Sequence, residues 1–319
     1  MTTTTELLAP TAAVVPAADP GIGPGAVPDE GSGISVVIPA LNERDSIAGT
    51  VERVRAVLGQ AGLEPFEVVV VDDGSKDGTG ELARQAGARV LRHAHNVGYG
   101  RSLKDGITAA RYDTVVITDA DGSYPIEDIP ALVARYREGF DMVVGARTGK
   151  HYRESVIKQP LRIILKRIVE FTANRRIPDI NSGLRVFSRA TAMQFFNHLS
   201  DMFSFTTSMT LAYMMNAKFV HYQNIDYHER VGRSKVRLFR DSVRTLQYIV
   251  EAATYYNPLK IFFFFGMICL GLAAASIIFG IVLQLVSAFL LGVGAILLGI
   301  MVFAMGLLAV LLKQIMDRA

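Results

Sequence analysis

Tryptophan is absent from the 319-residue sequence and cysteine occurs once, at Cys269, so no intrachain disulfide is available. Cys269 lies in an apolar run, where a lone thiol behaves as a small inert hydrophobe. Charge is missing over a longer stretch: Ile261 to Leu312 is 52 consecutive residues without a charged side chain. At about 20 residues per crossing of a ~30 Å hydrocarbon core, that run predicts two membrane helices joined by a tight turn. The turn is expected near Gln284 to Ser287, the one clearly polar spot midway. A buried hairpin in a soluble core is disfavoured, because soluble helices keep a polar stripe. Met1 to Ser32 lacks both a basic start and a sustained apolar core, so it is read as a disordered tail and not as a signal peptide.

Half of the residues are apolar, and the net charge of +3 is unevenly spread. Arg147 to Arg185 holds ten Lys/Arg against three Asp/Glu, and Glu229 to Arg244 six against two, leaving the remainder of the chain acidic. Basic residues gathered before an apolar hairpin suit anionic headgroups or an anionic substrate, which makes lipid a nearer partner than nucleic acid. Arg244 and Lys260 precede the hairpin, and Lys313 and Arg318 follow it, so both ends are expected in the cytoplasm.

After the tail, β-rich runs alternate with helical patterns. The runs are Ile34 to Ala40, Phe66 to Ser75, Ala88 to His93, Asp113 to Gly122 and Asp141 to Arg147. The helical patterns are Ser46 to Leu58, Gly80 to Gln85, Gly100 to Arg111 and Ile126 to Arg137. This alternation predicts an α/β, mostly parallel, doubly wound sheet, with ligands beyond the carboxyl ends of the strands. Residues at those ends are therefore the candidates: "PALNE" (Pro39 to Glu43), "DDGSKDG" (Asp72 to Gly78), "DADGS" (Asp119 to Ser123) and "GAR" (Gly145 to Arg147). Three of the four groups are acidic, which suits a metal ion, ribose hydroxyls or a base edge better than a naked phosphate. Further on, Gln159 to Asn174 and Lys235 to Tyr256 read as basic amphipathic helices of the kind that lie in a membrane interface or dock on the sheet.

Asp119 and Asp121, one residue apart at a strand end, place two hard oxygen donors near one point. Such a pair suits Mg²⁺ or Mn²⁺, with substrate phosphates completing the shell. With "VVIPALNE", "VVVVDDGSKDGT", "HNVGYGRSLKDGI" and "DADGSYPIEDIPALV" in this order, the chain closely resembles glycosyltransferase family 2. The stretches "VVGARTG", "INSGLRVFSR" and "HERVGRSK", followed by the hairpin, make it similar to the polyisoprenyl-phosphate glycosyltransferases of that family.

The resemblance implies an A-type, Rossmann-like glycosyltransferase domain, a UDP- or GDP-linked sugar donor, Mg²⁺ or Mn²⁺, and a polyisoprenyl phosphate acceptor in the lipid bilayer. No nucleic acid is implied, and a homo-oligomer is compatible with it. By analogy Pro39, Asn42, Glu43, Asp72, Asp73 and Asp119 hold the nucleoside, and Asp119 and Asp121 the metal and diphosphate. The acceptor phosphate falls to Arg147, Arg162 and Lys166, with Arg185 in the floor of that site. "HERVGRSK" is implied to be a basic loop that closes on the leaving diphosphate through Arg230 and Lys235. Ser123 departs from relatives that carry a glutamine near the metal.

These likenesses divide the chain into a tail (1–32), a catalytic domain (33–230), a basic loop with an interfacial helix (231–257) and two membrane helices (258–319). A processive polysaccharide synthase fits less well, since its relatives use an arginine-tryptophan acceptor motif and this chain has no tryptophan. A non-catalytic nucleotide-sugar-binding protein would not need Asp119, Asp121, Arg147 and "RVGRSK" together. His93 and His95 are expected as exposed strand residues without further ligands, and the Gly98 to Gly100 "GYG" as a helix cap.

Overall fold

The computed structural model describes residues 33–149, 167, 170, 171, 175–228, 246, 247, 250, 251, 254 and 258–316. The expected tail, most of both basic amphipathic helices and the basic loop lie outside the described residues. Among those described, seven strands form one sheet in the order β3-β2-β1-β4-β6-β5-β7. They are β1 (Ile34–Ala40), β2 (Phe66–Asp72), β3 (Arg89–Arg92), β4 (Thr114–Ile117), β5 (Met142–Thr148), β6 (Arg185–Ser188) and β7 (Val220–Asp226). Strands β1 to β4 are parallel in register, whereas β6 runs antiparallel between β4 and β5. β5 and β7 are parallel again.

The valine-rich strands are buried on both faces, so they read as continuous apolar runs, and the period of two sends alternate residues to opposite layers. Val36, Ile38, Val68 and Val70 pack with Ile47, Val51, Val54 and Leu58 of α1 (Ile47–Gln60) and with Ile129, Leu132 and Val133 of α4 (Ile129–Tyr136). Val37, Val69, Val71, Val115 and Ile117 pack with Leu103 and Ile107 of α3 (Tyr99–Ala109) on the other side. Helix α2 (Thr79–Gln85) follows the "DDGSKDG" turn.

Several boundaries differ from the sequence reading. β4 stops at Ile117, not Gly122, so the Asp119–Ser123 motif sits wholly in the turn beyond it. The Ile126 to Arg137 pattern breaks into one 3₁₀ turn (Ile126–Asp128) and α4, with Pro130 in the first turn where its missing N–H costs nothing. Strands β6 and β7 and the helices α5 (Arg189–Gln194) and α6 (Phe205–Met215) had no clear periodic signal. In α6 the hydroxyls of Thr206, Thr207, Ser208 and Thr210 are buried beside Phe205 and Met209, so neither face reads as apolar.

The uncharged run forms two helices, α7 (Pro258–Val282) and α8 (Val286–Met316), joined at residues 283–285 as expected. Each is long and apolar enough to cross a membrane, and only 11% of either apolar window is buried. That exposure separates the pair from the core hairpin of a soluble protein. Close packing between them needs glycine: a Cβ at Gly292 would lie 2.4 Å from Ile277 and one at Gly306 2.6 Å from Phe262.

Candidate active site

Strand order changes direction at β1, which has β2 on one side and β4 on the other, and such a switch point opens a crevice at the carboxyl ends. Three polar turns border it. After β1, Asn42 adopts a left-handed backbone (φ 49°), tolerable for asparagine. Its amide donates to Ser75 Oγ (2.9 Å), while its Oδ1 accepts from the Lys76 amide (2.9 Å). The Glu43 amide donates to Thr79 Oγ1 (2.9 Å). These bonds lock the first two turns together, leaving the Asn42 side chain exposed and Pro39 buried in β1.

Asp72 and Asp73 are both buried. Asp72 Oδ1 accepts from the Ser75 amide (2.9 Å), and a Cβ on Gly80 would lie 2.5 Å from its Oδ2, so only glycine lets α2 start this close. Asp73 organises the next loop: its oxygens accept from the amides of Val97 (2.9 Å) and Gly98 (3.0 Å), and His93 Nδ1 lies 2.8 Å away. His93 follows β3 and bridges to Asp105 (3.2 Å), so the expectation of an exposed strand histidine is corrected: two carboxylates draw the ring in. His95 is exposed but also beyond the strand. Gly98 caps α3 as expected, at φ 115°.

The third turn carries the acidic pair. Asp119 is half-buried and its Oδ1 accepts from the Tyr99 hydroxyl at 2.9 Å. Burial, together with the Asp119 carboxylate, holds the Tyr99 phenol well above its ordinary range, so it stays a donor. A Cβ on Gly183 would lie 3.0 Å from both Asp119 oxygens. Asp121 is buried, and its Oδ1 accepts from the Ser123 amide (3.0 Å) and hydroxyl (2.5 Å). Ser123 thus orients the second carboxylate from behind.

Arg147, at the end of β5, is held in a bidentate pair with Asp179: Nε to Oδ2 at 2.7 Å and Nη2 to Oδ1 at 2.9 Å. Its guanidinium also lies over the Tyr227 ring, 5.4 Å from the centroid. Tyr227 meets Tyr124 edge-on at 5.2 Å, and the Tyr124 hydroxyl accepts from the Gly183 amide (2.6 Å). Burial raises the Asp179 carboxyl, but the Arg147 charge and hydrogen bonds outweigh it and hold the group below the usual carboxylate range.

Arg185 is fully buried on β6. Its guanidinium donates to Ser182 O (2.8 Å), Ile180 O (3.0 Å) and Thr210 Oγ1 (2.8 Å). It lies beneath the 180–184 loop, knitting loop to α6. Arg162, Lys166, Arg230 and Lys235 lie outside the described residues.

Asp179, Tyr99, Tyr124, Tyr227 and Gly183 were not singled out from sequence. Asp179 carried a faint signal, as one of three acids in a window of ten bases. Tyr99 was hidden inside the "GYG" cap.

Two carboxylates on one turn form a donor set that fits Mg²⁺ or Mn²⁺ when diphosphate oxygens and water supply the remaining positions. Among the described residues no group of three His, Cys, Asp or Glu could hold a metal without such help.

Residues 35–199 match the profile of glycosyl transferase family 2. An undecaprenyl-phosphate 4-deoxy-4-formamido-L-arabinose transferase of Klebsiella pneumoniae is 30% identical over 162 residues, 49% of each chain. Its namesake from Edwardsiella ictaluri is 26% identical over 77% of this chain and 75% of its own length. A low-salt glycan biosynthesis hexosyltransferase of Haloferax volcanii is 30% identical over 70% of this chain and 54% of its own. In the first and third of these the match spans about half of the relative's length. Glucosyl-3-phosphoglycerate synthase of Mycobacterium tuberculosis shares the fold, with a TM-score of 0.57 at 22% identity over 70% of this chain and 80% of that one. The same enzyme has been solved with Mn²⁺, UDP-glucose and phosphoglyceric acid. With the profile covering just over half of the sequence, the chain belongs to glycosyltransferase family 2.

Proposed function

We propose that the chain is a membrane-anchored, inverting transferase that moves a single sugar from a UDP- or GDP-linked donor to a polyisoprenyl phosphate. The observation that carries this reading is the pairing of an acidic crevice with a cationic residue on the side that leads to the apolar hairpin. Arg147 is fixed by Asp179, and Ile177, two residues before Asp179, is linked to α7 through Glu170 and Phe171. The Ile177 amide donates to Glu170 (3.1 Å), the neighbouring Phe171 ring lies 5.4 Å from Phe264, and Lys260 sits 4.4 Å from that ring while donating to Phe171 O. Relatives named for undecaprenyl phosphate support a lipid-phosphate acceptor. The neighbour solved with Mn²⁺ and UDP-glucose supports a metal-bound nucleotide-sugar.

In this reading Asn42, Glu43 and Asp72 border the nucleoside, and Pro39 and Asp73 shape its site from within. Asp119 and Asp121 would hold Mg²⁺ or Mn²⁺, which when bound supplies positive charge against the departing diphosphate. The basic loop with Arg230 and Lys235 adds charge there on closing. The acceptor phosphate meets Arg147, Arg162 and Lys166, and Arg185 acts from beneath by bracing the 180–184 loop.

A lipid phosphate is anionic at neutral pH, so no strong general base is required. The protein's task is alignment and charge management. A phosphate oxygen bonds to the anomeric carbon as the bond to the nucleoside diphosphate breaks on the opposite face, inverting that centre. Both ends of the hairpin, and the crevice, face the cytoplasm.

The test is transfer of labelled sugar from a panel of UDP- and GDP-sugars to polyprenyl phosphate in proteoliposomes, with and without Mn²⁺. One sugar per lipid, of inverted configuration and dependent on the metal, is expected. Long polymer made without lipid phosphate, or donor binding without turnover of any lipid, would overturn the proposal.

A further inference from the structure

Phe203 stands out among the exposed aromatic side chains of the sheet domain. It is 39% exposed, yet its ring is stacked on Tyr99, 5.7 Å between centroids and 16° from parallel. Tyr99 in turn donates to Asp119, so a single ring separates Phe203 from the acidic pair.

The loop that carries Phe203 is fixed from several directions. The Arg101 amide donates to Asp201 O (2.9 Å), Lys104 Nζ reaches Leu199 O and Asp201 Oδ1 (2.6 Å each), and the Met202 amide donates to Ser200 Oγ (3.1 Å). Two glycines at the start of α3, its cap Gly98 and Gly100, make room for it. A Cβ on Gly98 would lie 2.7 Å from Asp201 O, and one on Gly100 2.2 Å from Ser200 O. Folding gains little from holding an apolar ring where water reaches it. A preorganised ring beside polar groups is, by contrast, what a small-molecule site uses to orient a ligand.

Resting on the donor reading above, we propose that Phe203, backed by Tyr99, is the platform for the sugar ring of the donor. One face of a pyranose is a patch of C–H groups, and a flat aromatic ring matches it while the hydroxyls at the edge keep their hydrogen bonds. Tyr99 couples the two halves of the donor site: its hydroxyl fixes Asp119 and its ring fixes Phe203. Phe203 therefore discriminates sugars by which face is free of axial hydroxyls, and contributes nothing to the nucleoside.

The experiment compares binding of a nucleoside diphosphate with binding of its sugar. Full-length chain in detergent with Mn²⁺ is titrated calorimetrically with UDP, UDP-glucose, GDP and GDP-mannose, as wild type and as Phe203→Ala, Phe203→Leu and Phe203→Tyr. For the nucleotide that the wild type binds, the Ala and Leu variants are expected to keep the diphosphate affinity within about twofold. They should lose roughly five- to tenfold for the nucleotide-sugar, the scale of one aromatic contact. Phe203→Tyr restores it. Equal affinities of wild type and Phe203→Ala for the nucleotide-sugar, or parallel losses for diphosphate and sugar, would overturn the platform. A wild type that binds none of the four probes contradicts the donor reading itself.

Discussion

Asp179 pairs with Arg147, the residue proposed to meet the acceptor phosphate, so Asp179→Asn should weaken the fold and, in that reading, the acceptor site. The Asp179 side chain is 2% exposed and that of Arg147 16%. Removing one charge of a fully buried pair costs about 3–5 kcal/mol, because the partner stays buried without compensation. Asparagine keeps one oxygen for the Asn181 amide (3.1 Å), and Arg147 retains some contact with water, so a loss of roughly 2–3 kcal/mol is expected. At about 2–4 °C per kcal/mol for a domain of this size, the melting temperature at pH 7 should drop by roughly 4–12 °C.

The loss has a pH signature. In the fold Asp179 titrates below its unfolded value of about 3.9, so its stabilisation is full above that pH and disappears as pH falls through the lower folded value. The gap between wild type and variant should thus be full at pH 7 and narrow below about pH 4. Thermal melting of detergent-solubilised chain across pH 3–7 reads it directly. In the transfer assay the efficiency toward lipid phosphate should fall at least about tenfold while nucleoside diphosphate affinity holds, since a guanidinium no longer clamped by the Asp179 carboxylate loses its alignment. Equal melting at pH 7, or a gap independent of pH, would refute the assignment of Arg147 and Asp179 as a buried ion pair.

Other substitutions separate contact from support. Asp121→Asn should abolish the Mn²⁺-dependent gain in nucleoside diphosphate affinity measured by thermal shift, with little change in melting without metal. Gly183→Ala places a methyl group about 3.0 Å from the Asp119 oxygens and should weaken metal–nucleotide binding several-fold in the same assay. Arg185→Lys replaces the buried fork by one ammonium that cannot reach Ser182, Ile180 and Thr210 together, and each acceptor left without a donor costs about 1–3 kcal/mol. A large drop in melting temperature with unchanged nucleoside diphosphate affinity is expected, and unchanged melting would show that the fork does not brace the loop.

The alternating core was legible because buried parallel strands announce themselves as valine-rich runs, and the hairpin because nothing else in a chain lacks charge for so long. The acidic turns were legible for a related reason, since polar residues clustering where apolar runs stop have few structural uses. What stayed hidden depends on contacts distant in sequence. Arg185 reads as a basic residue of an acceptor motif, but its side chain satisfies carbonyls of its own loop and Thr210 on α6. Asp73 reads as half of a nucleoside-binding pair and is occupied by the amides of Val97 and Gly98. Helix α6 was invisible because its buried hydroxyls bond to its own carbonyls, as Thr210 does to Thr206 O (2.9 Å), or to a loop, as Ser208 does to the Ser200 amide (3.1 Å), and so break the 3.6-residue apolar stripe.

In the proposed reaction a donor held at the strand ends is attacked by a phosphate supplied from the same bilayer that anchors the hairpin. The most direct test offers polyprenyl phosphate either in the vesicles that contain the protein or only in separate vesicles, and counts labelled sugar recovered in lipid. Transfer confined to the shared bilayer and lost in Asp121→Asn is predicted. Equal transfer to lipid phosphate in separate vesicles would contradict it.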